Sequence, residues 1–131
     1  GGEGGVVSIF IKKMLANETP IIFGDGLQTR DFIYIKDVVS ANLIALKKLK
    51  NHIYNIGTEK ETSIIQIYNL IAKELGFSSK PIFKEAKPRE VKFISLDCSK
   101  FKKETGWHSR FSLQQSIKNT ISYFKSKYKH V

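Results

Sequence analysis

The stretch from Ser63 to Gly76 leaves this chain the least freedom. Ser63 and Gln66 stand at the spacing at which each side chain caps the other's backbone N–H. Ile64, Ile67, Tyr68, Ile71 and Leu75 then fall on one helical face, and Gly76 supplies the left-handed residue on which helices stop. A helix with one long apolar face must bury it against another layer, and the sequence offers several. Val6, Val7, Phe10 and Met14, with Lys12 and Lys13 opposite, predict a helix from Val6 to near Asn17. Asp37 stands where a helix would start and be capped, with Val39, Leu43, Leu46 and Leu49 as its stripe up to Lys50. Asp97 is placed to cap a short helix through Glu104, stopped by Gly106, with Trp107 as a core anchor. Ser112 and Gln115 repeat the capping pair before Leu113, Ile117, Ile121 and Phe124, in a helix that frays from Lys127 to Val131.

Between these helices lie brief β-rich runs. Pro20 to Phe23 and Phe32 to Ile35 are separated by the turn signal Gly24-Asp25-Gly26. Ile53 to Ile56 closes on Gly57, Pro81 to Phe83 is a short strand candidate, and Val91 to Leu96 alternates weakly. Short strands alternating with amphipathic helices predict an α/β chain. These strands make no obvious sheet by themselves. The Ile53 run, flanked by helices, reads as an edge strand of a larger sheet, and the start from Gly1 to Gly5 reads as a flexible linker or truncation point. Both suggest that a preceding domain is absent, leaving residues 6–131 as one region.

Charge narrows the partners. There are 22 Lys+Arg against 12 Asp+Glu, a net of +10. Gly1 to Leu75 holds 9 basic and 8 acidic residues, +1, whereas Gly76 to Val131 holds 13 and 4, +9. A basic half of this kind suits nucleic acid, a membrane surface or a small polyanion such as a nucleotide diphosphate. The lysines are spread over loop and helix rather than interleaved with aromatic residues as a stacking platform, which argues against nucleic acid. The lone Cys98 excludes an internal disulfide and reads as a packing residue, and His52, His108 and His130 have no partners at metal-ligand spacing. No run approaches a membrane span and no signal pattern opens the chain, so a reducing, cytoplasmic setting is expected.

The densest polar cluster runs from Gly24 to Phe32. One reading is a loop in which Arg30 and Asp31 pair locally; another is that Gly24 and Gly26 let backbone approach a ligand while Arg30 offers a planar fork to phosphate. The run Pro20-Ile21-Ile22-Phe23-Gly24-Asp25-Gly26-x-Gln28-x-Arg30-Asp31-Phe32-Ile33-Tyr34-Ile35-x-Asp37-Val38-Val39 resembles the substrate-domain signature of the extended short-chain dehydrogenase/reductases. Within these it is most similar to the NAD-dependent nucleotide-sugar epimerases and dehydratases of the UDP-glucose 4-epimerase type. Val6 to Phe10, Tyr54-Asn55-Ile56-Gly57 with Thr58 and Ser63, Asp97-x-Ser99-Lys100, Gly106-Trp107 and the Ser112 helix follow in the family's order across essentially the whole chain.

The resemblance implies a C-terminal, UDP-sugar-binding region of an extended Rossmann-type enzyme that works as a homodimer with NAD held by an N-terminal domain outside this chain. Backbone groups of Ile21 to Phe23 would hold uracil, with Phe23 beside the ring, and Arg30 would bind the diphosphate. Gly5 and Val6 would line the substrate cleft. The family's second phosphate arginine and its ribose aspartate fall on Lys87 and Glu90. Lysine lacks the bidentate fork and glutamate is one methylene longer; Arg89, in place of a usual glycine, is a further candidate for the phosphate. A solvated basic loop is the plain alternative for this segment. The family's base is a tyrosine with a lysine four residues on; Tyr123 and Lys127 have that spacing but lie on the last helix, far past the family's position, so no catalytic residue is expected in this chain. A basic nucleic-acid-binding module and a self-associating interaction module remain the alternatives from other classes.

Overall fold

The computed structural model describes residues 5–48 and 52–128. Along the chain run α1 (Val6–Leu15), β1 (Ile21–Phe23), β2 (Thr29–Arg30), α2 (Ile35–Lys48), β3 (Thr62–Ser63), α3 (Ile64–Leu75), β4 (Ile82–Lys84), α4 (Ser99–Thr105) and α5 (Leu113–Tyr128). The capping box of α3 is present in both directions, Gln66 N–H to Ser63 Oγ at 3.2 Å and Ser63 N–H to Gln66 Oε1 at 2.9 Å, and Gly76 ends the helix at φ 67°. Ser112 Oγ accepts Gln115 N–H in the same way ahead of α5.

Two cores result. Helices α1, α3 and α5 bury Phe10, Ile11, Ile67, Ile71, Ile117 and Ile121 together with Ile22 of β1. Each large apolar side chain so buried contributes about 1.5–3 kcal/mol. The smaller core sets Ala41 of α2 against Phe101 of α4 and Trp107, with Tyr54, Phe101 and Trp107 in successive edge-to-face contacts at 5.4 and 5.6 Å. The indole N–H of Trp107 donates to Ser40 Oγ at 2.8 Å, which satisfies the polar edge of this core anchor.

The strands form two separate pairs. β1 runs parallel to β4 in the register Ile21 with Ile82 through Phe23 with Lys84, and β2 runs antiparallel to β3, Thr29 with Ser63 and Arg30 with Thr62. The Phe32 to Ile35 run expected as a strand is instead an unpaired connection entering α2 at Ile35: Tyr34 O already accepts Asp37 and Val38 N–H of the helix, and the Thr58 and Glu59 N–H groups go to the Asp31 carboxylate rather than to a ladder. The Ile53 to Ile56 and Val91 to Leu96 runs are not strands either. A strand exists only with a partner; Ile53 is 90% exposed, while Tyr54 and Ile56 pack on the second core by side chain alone.

Two helix expectations are corrected as well. Asp37 does not cap α2. It sits within the first turn, 1% exposed, and its carboxylate accepts the backbone N–H of Arg110 at 3.0 Å and of Phe111 at 3.3 Å, fastening the approach to α5. The stripe of α2 faces outward: Val39, Leu43 and Leu46 are exposed, with Leu46 at 83%, while Ala41, Ile44 and Ala45 turn to the core. Leu49, Lys50, the glycines before Gly5 and the last three residues lie outside the described residues. Asp97 does meet its helix, accepting Ser99 N–H at 2.9 Å, although α4 begins one residue later than that capping role would place it, with Cys98 at the N-cap. Among the described residues no helix is long and apolar enough to cross a membrane, and no cluster of His, Cys, Asp and Glu could hold a metal ion.

Candidate functional site

The N-terminus of α3 holds the loop that forms one wall of a cleft. Its first N–H groups lack helical partners, and loop carbonyls supply them: Ile65 N–H donates to Gly26 O at 3.0 Å and Ile64 N–H to Gln28 O at 3.1 Å. Gly26, at φ 77°, lies so close that a Cβ would stand 3.2 Å from Ile65 Cβ and 3.3 Å from Ile22 Cγ2. The turn is completed by Asp25 Oδ1 accepting Leu27 N–H at 2.9 Å and by Gln28 Nε2 donating to Phe23 O at 2.8 Å.

Opposite runs a strap, residues 85–96, that leaves β4 and crosses back over β2. Gly24 N–H donates to Lys84 O at 2.9 Å at its entry, and Thr29 N–H to Lys92 O at 2.7 Å midway. Between loop and strap lies a cleft of about 450 Å³ whose walls include Gly24, Gln28, Lys87, Arg89, Glu90 and Lys92, with the apolar Leu27 and Phe93 at its sides.

The strap also closes on the two strands. Arg30 donates from Nη2 to Glu90 Oε1 at 3.1 Å and from Nη1 to Thr29 O at 2.7 Å, so it pairs with the strap and not with Asp31. The Lys87 ammonium lies 4.7 Å from the centre of the Phe23 ring, a cation–π contact. Arg89 stands at φ 62°, the left-handed region that glycine enters freely and arginine does not. Of the β1 backbone, Pro20 O accepts Ile82 N–H at 3.1 Å and Gly24 N–H reaches Lys84 O, so even-numbered residues face β4. Strand alternation turns the N–H and C=O of Ile21 and Phe23 to the opposite edge.

Six of the eight residues singled out from the sequence are therefore brought together: Ile21 and Phe23 along one strand edge, with Arg30, Lys87, Arg89 and Glu90 around it. Gly5 and Val6 stand apart at the start of α1. The Gly5 carbonyl accepts Ser8 N–H at 3.0 Å and Val6 packs on the main core; among the described residues no hydrogen bond, ion pair or ring contact joins either to the cluster. The sequence reading did not single out Gln28, Lys92 and Phe93. Gln28 was legible as the polar residue closing a glycine turn. Lys92 and Phe93 were not, because only the crossing of the strap over β2 brings them to the cleft. A strand edge without a second strand partner, an aromatic face and several cations beside a cleft suit a flat heterocycle joined to a polyanion.

A parallel strand pair crossed by a charged strap, with an arginine on the neighbouring strand pair and amphipathic helices around both, matches the Rossmann-like extended short-chain dehydrogenase/reductase fold. The chain belongs to the NAD-dependent epimerase/dehydratase family, whose model matches residues 1–57. A Methanocaldococcus jannaschii protein assigned as a UDP-glucose 4-epimerase is 48% identical over 95% of this chain and 40% of its own length. A UDP-N-acetyl-α-D-glucosaminuronate decarboxylase of Bacillus cytotoxicus is 33% identical over 95% of the chain and 41% of its own. The crystal structure of Thermotoga maritima UDP-glucose 4-epimerase with UDP-glucose superposes with a TM-score of 0.93 at 39% identity, covering 97% of this chain and 41% of that one. The chain thus spans about two fifths of the length of the relatives it matches.

Proposed function

We propose that this chain is the UDP-sugar-binding part of an NAD-dependent epimerase of the UDP-glucose 4-epimerase kind. The observation that carries the reading is the outer edge of β1, paired with no other strand, beside a cationic cleft. The N–H and C=O of Ile21 and the N–H of Phe23 supply donors and an acceptor for a uracil edge, the Phe23 carbonyl being held by Gln28 Nε2 at 2.8 Å, and Phe23 has a ring for its face. Arg30 is the diphosphate ligand, with Lys87 and Arg89 as the cations on the strap. Glu90 accepts from the ribose hydroxyls, and Gly5 and Val6 line the sugar end. Glu90 takes one arm of the Arg30 fork and the Thr29 carbonyl the other, and a diphosphate with two oxygens in one plane is a better bidentate partner for it.

NAD, when bound to the whole protein, supplies the hydride acceptor for sugar C4. Among the described residues no strand leads through a glycine turn into a helix, the unit that cradles a dinucleotide, so the NAD-binding groups and the tyrosine base are assigned to the rest of the polypeptide. What this chain contributes is binding and orientation. Fixing base and diphosphate leaves the sugar as the part of the substrate presented to the reacting groups. The outward face of α2, with Ile35, Val39, Leu43, Leu46 and the neighbouring Ile53, is then where the NAD-binding part packs. Isolated, the chain should self-associate through that face on size-exclusion chromatography.

A dehydratase or a decarboxylase of the same family fits the same nucleotide grip, as the Bacillus cytotoxicus relative illustrates. The test is calorimetric titration of the intact protein with UDP before and after Arg30→Ala. Loss of one charge-assisted phosphate contact of about 1.5–3 kcal/mol weakens binding by at least tenfold. Unchanged affinity removes Arg30 from the site. Tight, steeply salt-dependent binding of DNA or RNA in place of UDP would favour the nucleic-acid module instead.

A further inference from the structure

The least explained polar group beside the cleft is the Asp31 carboxylate. It makes no ion pair with its neighbour Arg30, yet it is the most heavily hydrogen-bonded side chain among the described residues. Oδ1 accepts Thr58 N–H at 2.8 Å and Thr58 Oγ1–H at 2.6 Å; Oδ2 accepts Glu59 N–H at 2.9 Å and Leu96 N–H at 3.3 Å. The seat has no slack. A Cβ on Gly57 would stand 2.5 Å from Oδ2, and Glu59 reaches its place only at φ 60°. Glu59 continues the junction, its carboxylate accepting Cys98 N–H at 3.0 Å and pairing with Lys102 of α4.

These contacts fall at one strategic place. Leu96 is the last residue of the strap that carries Lys87, Arg89, Glu90 and Lys92, and Asp31 directly follows Arg30 at the end of β2. The strap is paired to β1 where it enters and tied to Thr29 midway; its exit is held by Asp31 and, one step on, by Glu59. We infer that Asp31 is the positioning residue of the cleft, a carboxylate clamp that holds the strap's cations at a fixed distance from Arg30 and the β1 edge. This rests on the UDP reading, and it adds a residue that touches no ligand. A charged acceptor is suited to the task because several converging N–H groups hold it more strongly than a neutral oxygen would be held. Asparagine has the same shape but turns an NH₂ group toward some of those donors and leaves them unpaired.

The experiment is a double-mutant cycle in the intact protein, with UDP affinity measured by calorimetry well below each variant's melting temperature. Asp31→Asn is expected to weaken UDP binding about tenfold, and amide exchange at Leu96 to accelerate. Lys87→Ala weakens binding on its own. If Asp31 acts by placing Lys87, the double variant loses much less than the product of the two single losses, a coupling that a merely structural residue does not show. Thr58→Val, which deletes one hydrogen bond and keeps the shape, serves if Asp31→Asn fails to fold, with an expected loss of about threefold. Wild-type affinity in both Asp31→Asn and Thr58→Val, or single losses that multiply fully, overturns the inference. The two readings fail separately. If Arg30→Ala weakens UDP binding and Asp31→Asn does not, the clamp alone is wrong. If Arg30→Ala and Lys87→Ala both bind UDP like the wild type, the UDP reading falls, and unchanged Leu96 exchange in Asp31→Asn would refute the clamp by itself.

Discussion

Arg89 is where backbone and ligand make opposite demands. At φ 62° a residue with a Cβ is strained by about 1–2 kcal/mol, which glycine escapes at an unfolded-state cost of about 0.5–1 kcal/mol. Arg89→Gly should therefore stabilise the fold by up to about 1 kcal/mol, raising the melting temperature by roughly 3 °C. Arg89→Ala keeps the strain and should leave stability within about 0.5 kcal/mol of wild type, since the side chain is exposed and makes no ion pair among the described residues. Both substitutions remove the same guanidinium from the cleft, and both should weaken UDP by about tenfold, the value of one exposed charge-assisted contact. The assays are differential scanning fluorimetry and calorimetric titration on the three proteins side by side. Equal melting temperatures for the glycine and alanine variants would refute the strain. Wild-type affinity in both would refute Arg89 as a ligand and leave it a solvated loop residue.

Other outcomes follow from the packing and the charges. The Lys102 hydrogen bond, followed by that from Cys98 N–H, holds the Glu59 carboxyl below its ordinary value of 4.5. A carboxylate lowered in the fold stabilises it above about pH 4.5 and loses that contribution as pH falls through the folded value; urea midpoints between pH 6 and pH 3 should fall more steeply for the wild type than for Glu59→Gln. Because Leu46 of α2 is exposed, Leu46→Lys should change chain stability by under about 0.5 kcal/mol in urea titration, while retention on size-exclusion chromatography shifts toward monomer. Phe101→Ala, in the second core, should cost about 3–5 kcal/mol by the same titration.

How much was legible follows from where each signal lives. The capping box and stop of α3 are local chemistry, and Ser63, Gln66 and Gly76 behave as read. Periodicity located α2 but assigned the wrong face to its own core: small Ala41 and Ala45 pack against Phe101 and Trp107, while the larger Val39, Leu43 and Leu46 turn outward. Hydrophobicity marks a surface that will be covered without saying by what. The Ile53 run shows the same limit, since its apolar pattern asks for a strand partner that the described residues do not provide. The sequence offers Asp31 as a local partner of Arg30 in only one of two open readings of its loop and Asp37 as a helix cap, whereas both carboxylates collect backbone N–H groups from segments far along the chain. Such acceptors have no sequence spacing to betray them. The grouping of the candidate site residues was more legible because β1, Arg30 and the strap each bear unusual local chemistry, and Arg89, expected at the place of a usual glycine, stands in the left-handed region that glycine favours.

The most direct test of the central claim is a crystal structure of the intact protein with UDP. The account predicts uracil paired to the backbone of Ile21 and Phe23, with the diphosphate within hydrogen-bond distance of Arg30 and of at least one of Lys87 and Arg89. Glu90 would then have moved from Arg30 to the ribose. Density for UDP elsewhere, with the Arg30–Glu90 pair intact and the β1 edge bare, would contradict it.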